Sequence, residues 1–315
     1  MAVTLQIVGG AFLIGLAVAV GFTRSRARAR HRVAGRSELL RTSAGTLEYA
    51  VVGEGPRVLV VHGAPGGFDQ ALDMVGPLAG SGFQLVAPSR FGYLRSQPQA
   101  LTVTPEMQAD AYIELFDHLA IDSAAVVAIS AGAWSALEFA SRHPSRCRAL
   151  VLVVPADHLP PGVSVHGGRF TDWMLRSDFL AWLALRVMAL SPASRLTEMM
   201  LGTPASVIRE AHPAERSRVG EILEHLLPLS DRRAGMRDDI RVAADRREPA
   251  FDTIGCPVLT ISAEDDRFGT ANRARAIAGA VRDGRVVVYP TGGHALVGRL
   301  SSVLEEGRAF LAQHG

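Results

Sequence analysis

Hydrophobic and polar positions along the chain alternate between two patterns. Short apolar, β-branched runs at 46–52, 58–61, 84–87, 124–129 and 149–154 predict strands, and the stretches 68–79, 105–119 and 133–142 have helical spacing. Continuous apolar strands are typical of a parallel sheet that is covered on both faces. The pattern therefore predicts an α/β fold, with a mostly parallel sheet and helices on both sides.

The alternation stops between residues 156 and 250, where helical blocks separated by prolines replace the strands. The predicted helices lie at 170–190, 205–211, 216–227 and 238–246. It resumes with "PVLTISAEDD" and "RVVVYPTGGH" and ends in a helix over 301–314. Both ends of the helical region connect to predicted strands. We therefore interpret residues 156–250 as a helical cap inserted into a core of residues 44–155 and 251–315, and a second independent domain is the alternative.

The first 23 residues contain no charged side chain, and an arginine-rich segment follows over 24–43. A helix of about 20 residues spans the ~30 Å hydrocarbon core of a bilayer. A secretory signal carries its positive charge before the apolar run, whereas here the arginines follow it, which favours their retention in the cytoplasm. The sequence predicts a single-pass anchor over 1–23, lipid contact through residues 1–32 and a cytoplasmic domain. A cleaved signal or a buried N-terminal helix remain alternatives.

Charge and cysteine content limit the possible partners. All 33 basic residues are arginine, and seven of them lie in residues 24–41 beside one glutamate. The rest of the chain holds 26 arginines against 30 acidic residues, so it has no basic excess of the kind that binds nucleic acid. Cys147 and Cys256 each open an apolar run, and we expect reduced thiols in the cytosol. No metal-type Cys/His spacing is present, and we predict no metal or cofactor.

Ser130 lies in "AISAG", between a predicted strand and a predicted helix. A serine on such a tight turn presents its hydroxyl at the carboxyl edge of the sheet and needs small neighbours, here Ala128 and Gly132. The following helix also directs its N-terminal N–H groups at a developing anion. This motif alone leaves open whether Ser130 is a nucleophile or a turn residue.

A nucleophilic serine needs a base and an acid that orients the base. His294 follows the strand and two glycines of "YPTGGH", and Glu264, Asp265 and Asp266 follow the strand of "LTISAEDD". Parallel strands bring these loops to the same sheet edge as Ser130. One of the carboxylates can then face His294.

A fourth loop, "HGAPGG" at 62–67, follows the strand 58–61. We expect the Ala64 N–H, together with the Ala131 N–H, to form an oxyanion hole. Read alone, the loop is a Gly/Pro turn, or a phosphate loop that lacks its lysine. We expect His62 to orient the loop.

Together the four motifs resemble the α/β-hydrolase superfamily, in its cap-containing serine-hydrolase branch, over residues 44–315. The resemblance implies a triad of Ser130, Asp266 and His294. "AEDD" is similar to the family's G-x-x-D run with Asp266 in fourth place and Ala263 replacing the glycine; Asp265 is the alternative acid. The similarity of "PSRFGYLRS" to a family loop and the roofing role of the cap imply a substrate pocket with Phe91, Trp173, Phe179 and Trp182, although the last three are equally typical of packing within the cap.

The resemblance implies a serine hydrolase that cleaves esters or related acyl compounds through an acyl-enzyme, with a small-molecule substrate. The predicted anchor adds that this hydrolase is attached to a membrane. The same triad also serves lactonases, carbon–carbon bond hydrolases and cofactor-free haloperoxidases, so these remain alternatives. A non-catalytic ligand-binding protein with this fold is an alternative of another class, because fold alone does not imply function.

Overall fold

Nine strands form a single sheet in the computed structural model, which describes residues 2–158, 177–191, 193–245 and 247–315. The strands are β1 (Glu38–Thr42), β2 (Gly45–Val52), β3 (Arg57–Val61), β4 (Gln84–Pro88), β5 (Gln97–Pro98), β6 (Ala124–Ile129), β7 (Cys147–Val153), β8 (Val258–Ala263) and β9 (Gly284–Tyr289). The described α-helices are α1 (Ala2–Val33), α2 (Phe68–Val75), α3 (Pro105–His118), α4 (Ala133–Arg142), α5 (Asp178–Leu190), α6 (Arg195–Leu201), α7 (Ala205–Glu210), α8 (Pro213–His225), α9 (Arg233–Asp245), α10 (Thr270–Ala280) and α11 (Leu300–His314).

The sheet is mostly parallel, with the strand order β1-β2-β4-β3-β6-β7-β8-β9 and with β5 paired to β2. Only the pairs that include β2 are antiparallel, and all pairs from β4 to β9 along this order are parallel. The parallel strands therefore end at one common edge. The loops that follow β3, β6, β8 and β9 carry the four predicted motifs, and they meet at this edge.

Both faces of the sheet are covered by helices, which confirms the predicted fold class. All six residues of β6 and all six of β8 are buried. One core contains Tyr112 and Phe116 of α3 and Phe139 of α4, and the other contains Phe68 of α2 and Phe310 of α11. A strand buried on both faces has to be apolar throughout, which explains the continuous runs in the sequence.

Five described helices, α5 to α9, lie between β7 and β8 and have their own apolar core. Helices predicted at 205–211, 216–227 and 238–246 correspond to α7, α8 and α9, whereas the short α6 was not predicted. The predicted helix 170–190 is described only from residue 177 onward, as α5. Arg90 of the core and Asp239 of α9 form a buried ion pair between the two parts, with Nη2 2.8 Å from Oδ2.

The N-terminal helix does not end with the uncharged segment 1–23 but continues to Val33. Ser25 and Ala29 are buried, and Ala29 belongs to the apolar core of the cap. The segment 24–43, which we expected to link anchor and domain, thus contains the end of α1 and the edge strand β1. Within this helix, Gly9–Val33 is long and apolar enough to cross a membrane by length and composition, a test that signal sequences also pass.

Cys147 and Cys256 are both buried, and their thiols are free. The two Sγ atoms lie 3.6 Å apart, because β7 and β8 are neighbours in the sheet. The structure thus places the two cysteines side by side in reduced form.

Candidate active site

Ser130 lies directly after β6, on a tight turn that leads into α4. Its φ of +51° is unusual for a residue other than glycine and is typical of a strand-to-helix turn that exposes a side chain. The turn passes very close to the β3 end: a Cβ on Gly132 would lie 2.6 Å from the His62 carbonyl oxygen. Ala128, in contrast, fits its fully buried place on β6. The local sequence therefore needs a glycine at 132, and it accommodates alanine at 128.

His294 connects the serine to a carboxylate. Its Nε2 lies 2.8 Å from Ser130 Oγ, and its Nδ1 lies 2.8 Å from Asp266 Oδ2. An ionised carboxylate can only accept, so the Nδ1 of a neutral His294 carries the proton and Nε2 can accept from the Ser130 hydroxyl. The structure thus brings three of the predicted site residues together in one hydrogen-bonded chain.

Asp266 is buried, and it is held by several donors. Burial acts to raise its pKa, but the charge of a protonated His294 and the hydrogen bonds to the carboxylate together outweigh this, and the pKa is lowered from 3.8. The Thr270 hydroxyl and the Phe268 N–H, which lies 2.8 Å from Oδ1, also donate to the carboxylate. Asp266 therefore stays ionised near neutral pH and can stabilise a protonated His294.

Asp265, the alternative acid, points to a different partner. Its Oδ1 accepts a hydrogen bond of 2.8 Å from the Gly293 N–H, next to the histidine. Asp265 therefore fastens the backbone of the histidine loop, whereas Asp266 contacts the ring itself.

The loop after β3 lies against the serine. A Cβ on Gly63 would come within 2.9 Å of Ser130 Cβ, and the Gly63 N–H donates to Gln70 Oε1 at 2.9 Å. Ala64 is exposed, and no described residue accepts a hydrogen bond from its N–H. Ala131 follows the serine at the start of the turn. The two predicted oxyanion donors thus come from segments that meet at Ser130.

His62 is fully buried and fixes the position of this loop. Its Nε2 accepts from the Arg90 N–H at 2.8 Å, so its Nδ1 donates to the Gly63 carbonyl at 2.7 Å. Burial and the nearby Arg90 charge hold the pKa of His62 well below 6.5. The ring is therefore neutral and has both nitrogens engaged, in agreement with an orienting role.

The cap holds two of the active-site loops, through residues that the sequence did not indicate. Thr203 Oγ1 accepts from the Ala295 N–H at 2.9 Å, beside the histidine. Arg232 donates to the Gly66 carbonyl in the loop after β3. Both contacts join segments that are distant in the sequence, so neither residue stands out in the sequence itself.

The residues predicted for a substrate pocket lie in different surroundings. Phe91 is buried in the core that contains α3 and α4. Phe179 and Trp182 stack on each other and contact Phe22 of α1, and Trp173 lies outside the described residues. Their contact with substrate stays a prediction. Among the described residues, no group of three or more His, Cys, Asp or Glu side chains is arranged to hold a metal ion.

A family model described as alpha/beta hydrolase fold matches residues 56–297, and the protein therefore belongs to the alpha/beta hydrolase family. An alpha/beta hydrolase fold protein from Nakamurella multipartita has a similar structure, with a TM-score of 0.70 and 28% identity; the match covers 87% of this chain and 98% of the other. The family and the relatives described next support a hydrolase.

The curated proteins that are similar in sequence include the following two hydrolases. An uncharacterized hydrolase, YcgS of Bacillus subtilis (strain 168), is 38% identical over 119 residues, which are 37% of this chain and only 40% of that protein. A 2-hydroxy-6-oxo-6-phenylhexa-2,4-dienoate hydrolase of Burkholderia cepacia is 21% identical over 248 residues, 77% of this chain and 82% of that enzyme.

Proposed function

We propose that the protein is a serine hydrolase that cleaves esters or related acyl compounds through an acyl-enzyme. The hydrogen-bonded chain from Ser130 through His294 to Asp266 carries this proposal. His294 Nε2 takes the hydroxyl proton while Ser130 Oγ attacks the acyl carbonyl carbon, and the ionised Asp266 stabilises the imidazolium that forms.

The tetrahedral intermediate then collapses as His294 returns the proton to the leaving alcohol. Water, activated by the same ring, attacks the acyl-enzyme and releases the acid. The N–H groups of Ala64 and Ala131 would bind the oxyanion at both stages, and one such donor is typically worth about 3–4 kcal/mol of the barrier.

A fluorophosphonate probe tests the nucleophile, because it labels only an activated serine. We expect the folded wild type to be labelled, and Ser130→Ala to lose both labelling and ester hydrolysis, with a fall in kcat on the order of 10⁵–10⁶-fold. Ser141→Ala, at the far end of α4, is the matched control and should be labelled normally. An unlabelled wild type would instead favour a non-catalytic ligand-binding protein, and labelling that persists in Ser130→Ala would show that Ser130 is not the nucleophile.

Carbon–carbon bond hydrolysis is a second candidate, favoured by the similarity to the Burkholderia cepacia hydrolase over most of both chains. Turnover of esters and lactones of graded acyl length should be compared with turnover of 2-hydroxy-6-oxo-6-phenylhexa-2,4-dienoate. A higher kcat/KM for the dienoate would favour the second candidate, and Ser130→Ala gives the background rate for each compound.

We also propose that α1 anchors the protein in a membrane, with the folded domain on the cytoplasmic side. The described side chains of its first half are exposed, including those of Phe12, Leu13 and Ile14. Only 6% of its most apolar 18-residue stretch is buried. Exposed apolar side chains along a whole helix are costly in water and stable in lipid. The arginines that follow satisfy the positive-inside rule.

Fractionation of cells that express the full chain with a C-terminal reporter tests the anchor. We expect membrane material that resists alkaline carbonate, with a reporter that is active in the cytoplasm. Release of the full-length chain by carbonate, or a reporter active only outside the cytoplasm, would contradict the proposal.

A further inference from the structure

Helix α5 in the cap is apolar on both of its faces. Ala181, Trp182 and Leu185 are buried in the cap core. The opposite side exposes a stripe with helical spacing, formed by Phe179, Leu183, Val187 and Leu190, and the exposed fraction rises from 36% at Phe179 to 87% at Leu190. A helix that is apolar all round is normally buried or in contact with a membrane.

The N-terminal end of α5 is packed against α1. The ring centroids of Phe22 and Phe179 are 5.4 Å apart, and Phe22 also contacts Trp182 at 5.8 Å. A Cβ on Gly21 would lie 3.3 Å from the Trp182 ring, so the two helices approach closely there. The exposed stripe of α5 is therefore continuous with the apolar surface of α1.

The contact lies where α1 changes from apolar to charged. Thr23 ends the uncharged run, and the arginines at 24, 28 and 30 are exposed after it, while Ser25 and Ala29 face the protein. In a helix that spans a bilayer, this transition lies at the lipid headgroups, where arginine binds anionic lipid. In the proposed anchored state, Phe179 would therefore lie at the depth of the membrane surface.

We propose that the exposed stripe of α5 docks the cap onto the lipid bilayer that holds α1. This rests on the proposed membrane anchor. The partner is an anionic lipid surface, because the stripe begins at the level of the headgroups and exposed arginines flank that level. An apolar helix face that lies in the membrane interface is buried about 5–10 Å into the headgroup and acyl boundary.

Quenching by lipid in full-length protein tests the docking. The environment-sensitive dye NBD is attached to Leu190→Cys or Val187→Cys, and the protein is reconstituted in phosphatidylglycerol-containing vesicles with or without brominated acyl chains. Unsubstituted protein checks that the buried native thiols do not react. Leu101→Cys is the matched control, because this residue is fully exposed on the hydrolase domain, outside the cap. Leu13→Cys reports on the anchor.

We expect brominated lipid to cause a loss of NBD emission at 190, 187 and 13 but not at 101. The docking would be overturned, and the anchor left intact, if brominated lipid quenched the dye at position 13 but left the dye at positions 190 and 187 as bright as at position 101. Absence of quenching at all four sites would overturn both. A blue shift at 190 and 187 without quenching would mean that protein covers the stripe, either a second copy or another segment of this chain, and it would also overturn the docking.

Discussion

Arg232 of the cap donates two hydrogen bonds to the buried carboxylate of Asp69, at 3.1 Å from Nη1 and 2.6 Å from Nη2. The same carboxylate accepts from Arg32 of α1 at 3.3 Å. Burial acts to raise the pKa of Asp69, but the charges of Arg232 and Arg32 outweigh it, and the pKa is lowered from 3.8. The cap, the core and the N-terminal helix therefore share one ionised group.

Removal of this carboxylate should destabilise the fold strongly. Asp69→Ala leaves Arg232 buried without its counter-ion, and losses of about 3–5 kcal/mol in the free energy of unfolding are typical of such changes. Urea unfolding measures the effect. Glu264→Ala, which removes an exposed pair with Arg275, is the control and should leave the urea midpoint unchanged. Equal midpoints for the two variants would show that the Asp69 pair contributes no stability.

The two adjacent aspartates should differ in their effect on catalysis. Asp266→Asn removes the charge that stabilises the His294 imidazolium, and we expect kcat to fall by about 10⁴-fold. Asp265→Asn keeps an oxygen that can accept from the Gly293 N–H, so its loss should be much smaller. The kcat values of the two variants are compared by measuring ester hydrolysis at saturating substrate. A larger loss in Asp265→Asn would reverse the assignment of the acid.

His62 should make stability depend on pH. The folded protein keeps this ring neutral, because burial lowers its pKa well below 6.5, whereas the unfolded chain protonates it below about pH 6.5. Unfolding then takes up a proton, so the contribution of His62 decreases as pH falls, by up to about 1.4 kcal/mol per pH unit, until the folded pKa is reached. Urea unfolding between pH 7 and 5 should show a shallower pH dependence for His62→Gln.

The control for this pH dependence is His31→Gln, at an exposed position on α1. It should retain the wild-type slope. Identical slopes for His62→Gln and wild type would mean that His62 is not held neutral in the folded state.

Two glycines should respond in opposite ways to an added methyl group. Gly132→Ala forces a Cβ to 2.6 Å from the His62 carbonyl, so the turn that carries Ser130 has to shift, at a typical cost of about 1–3 kcal/mol and with loss of activity. Gly76→Ala meets nothing within 4 Å, has helical dihedral angles, and should gain about 0.4–1 kcal/mol. Thermal unfolding and kcat/KM measure both. Full activity in Gly132→Ala would show that the turn tolerates the added bulk.

Helices and strands were predictable from the sequence where their positions are buried, because a buried position requires an apolar residue. The strand 124–129 and the helix 133–142 have the bounds that the sequence predicted, because every position of the strand is buried and the helix begins at the serine turn. The edge strand β1 was not predicted. Its sequence, "ELLRT", is mostly exposed and lies within an arginine-rich stretch, so it lacks the apolar pattern of the central strands.

The candidate triad was predictable because each of its members lies in the loop after a parallel strand, and parallel strands bring these loops to one edge of the sheet. The residues that hold the loops were not predictable. Arg232 is fully buried beside the active-site loop, yet its neighbour Arg233 has the same side chain, and only the packing of the cap distinguishes them. Thr203 likewise gains its partner from a residue 92 positions away.

Helix α1 runs for 32 residues without a break, a rod of about 48 Å whose last turns are fixed to the folded domain. A flexible linker would let the domain tumble about its point of attachment, but this helix has no joint at which rotation can occur. Whatever holds the first half of α1 therefore also sets the direction in which the folded domain, and Ser130 with it, faces.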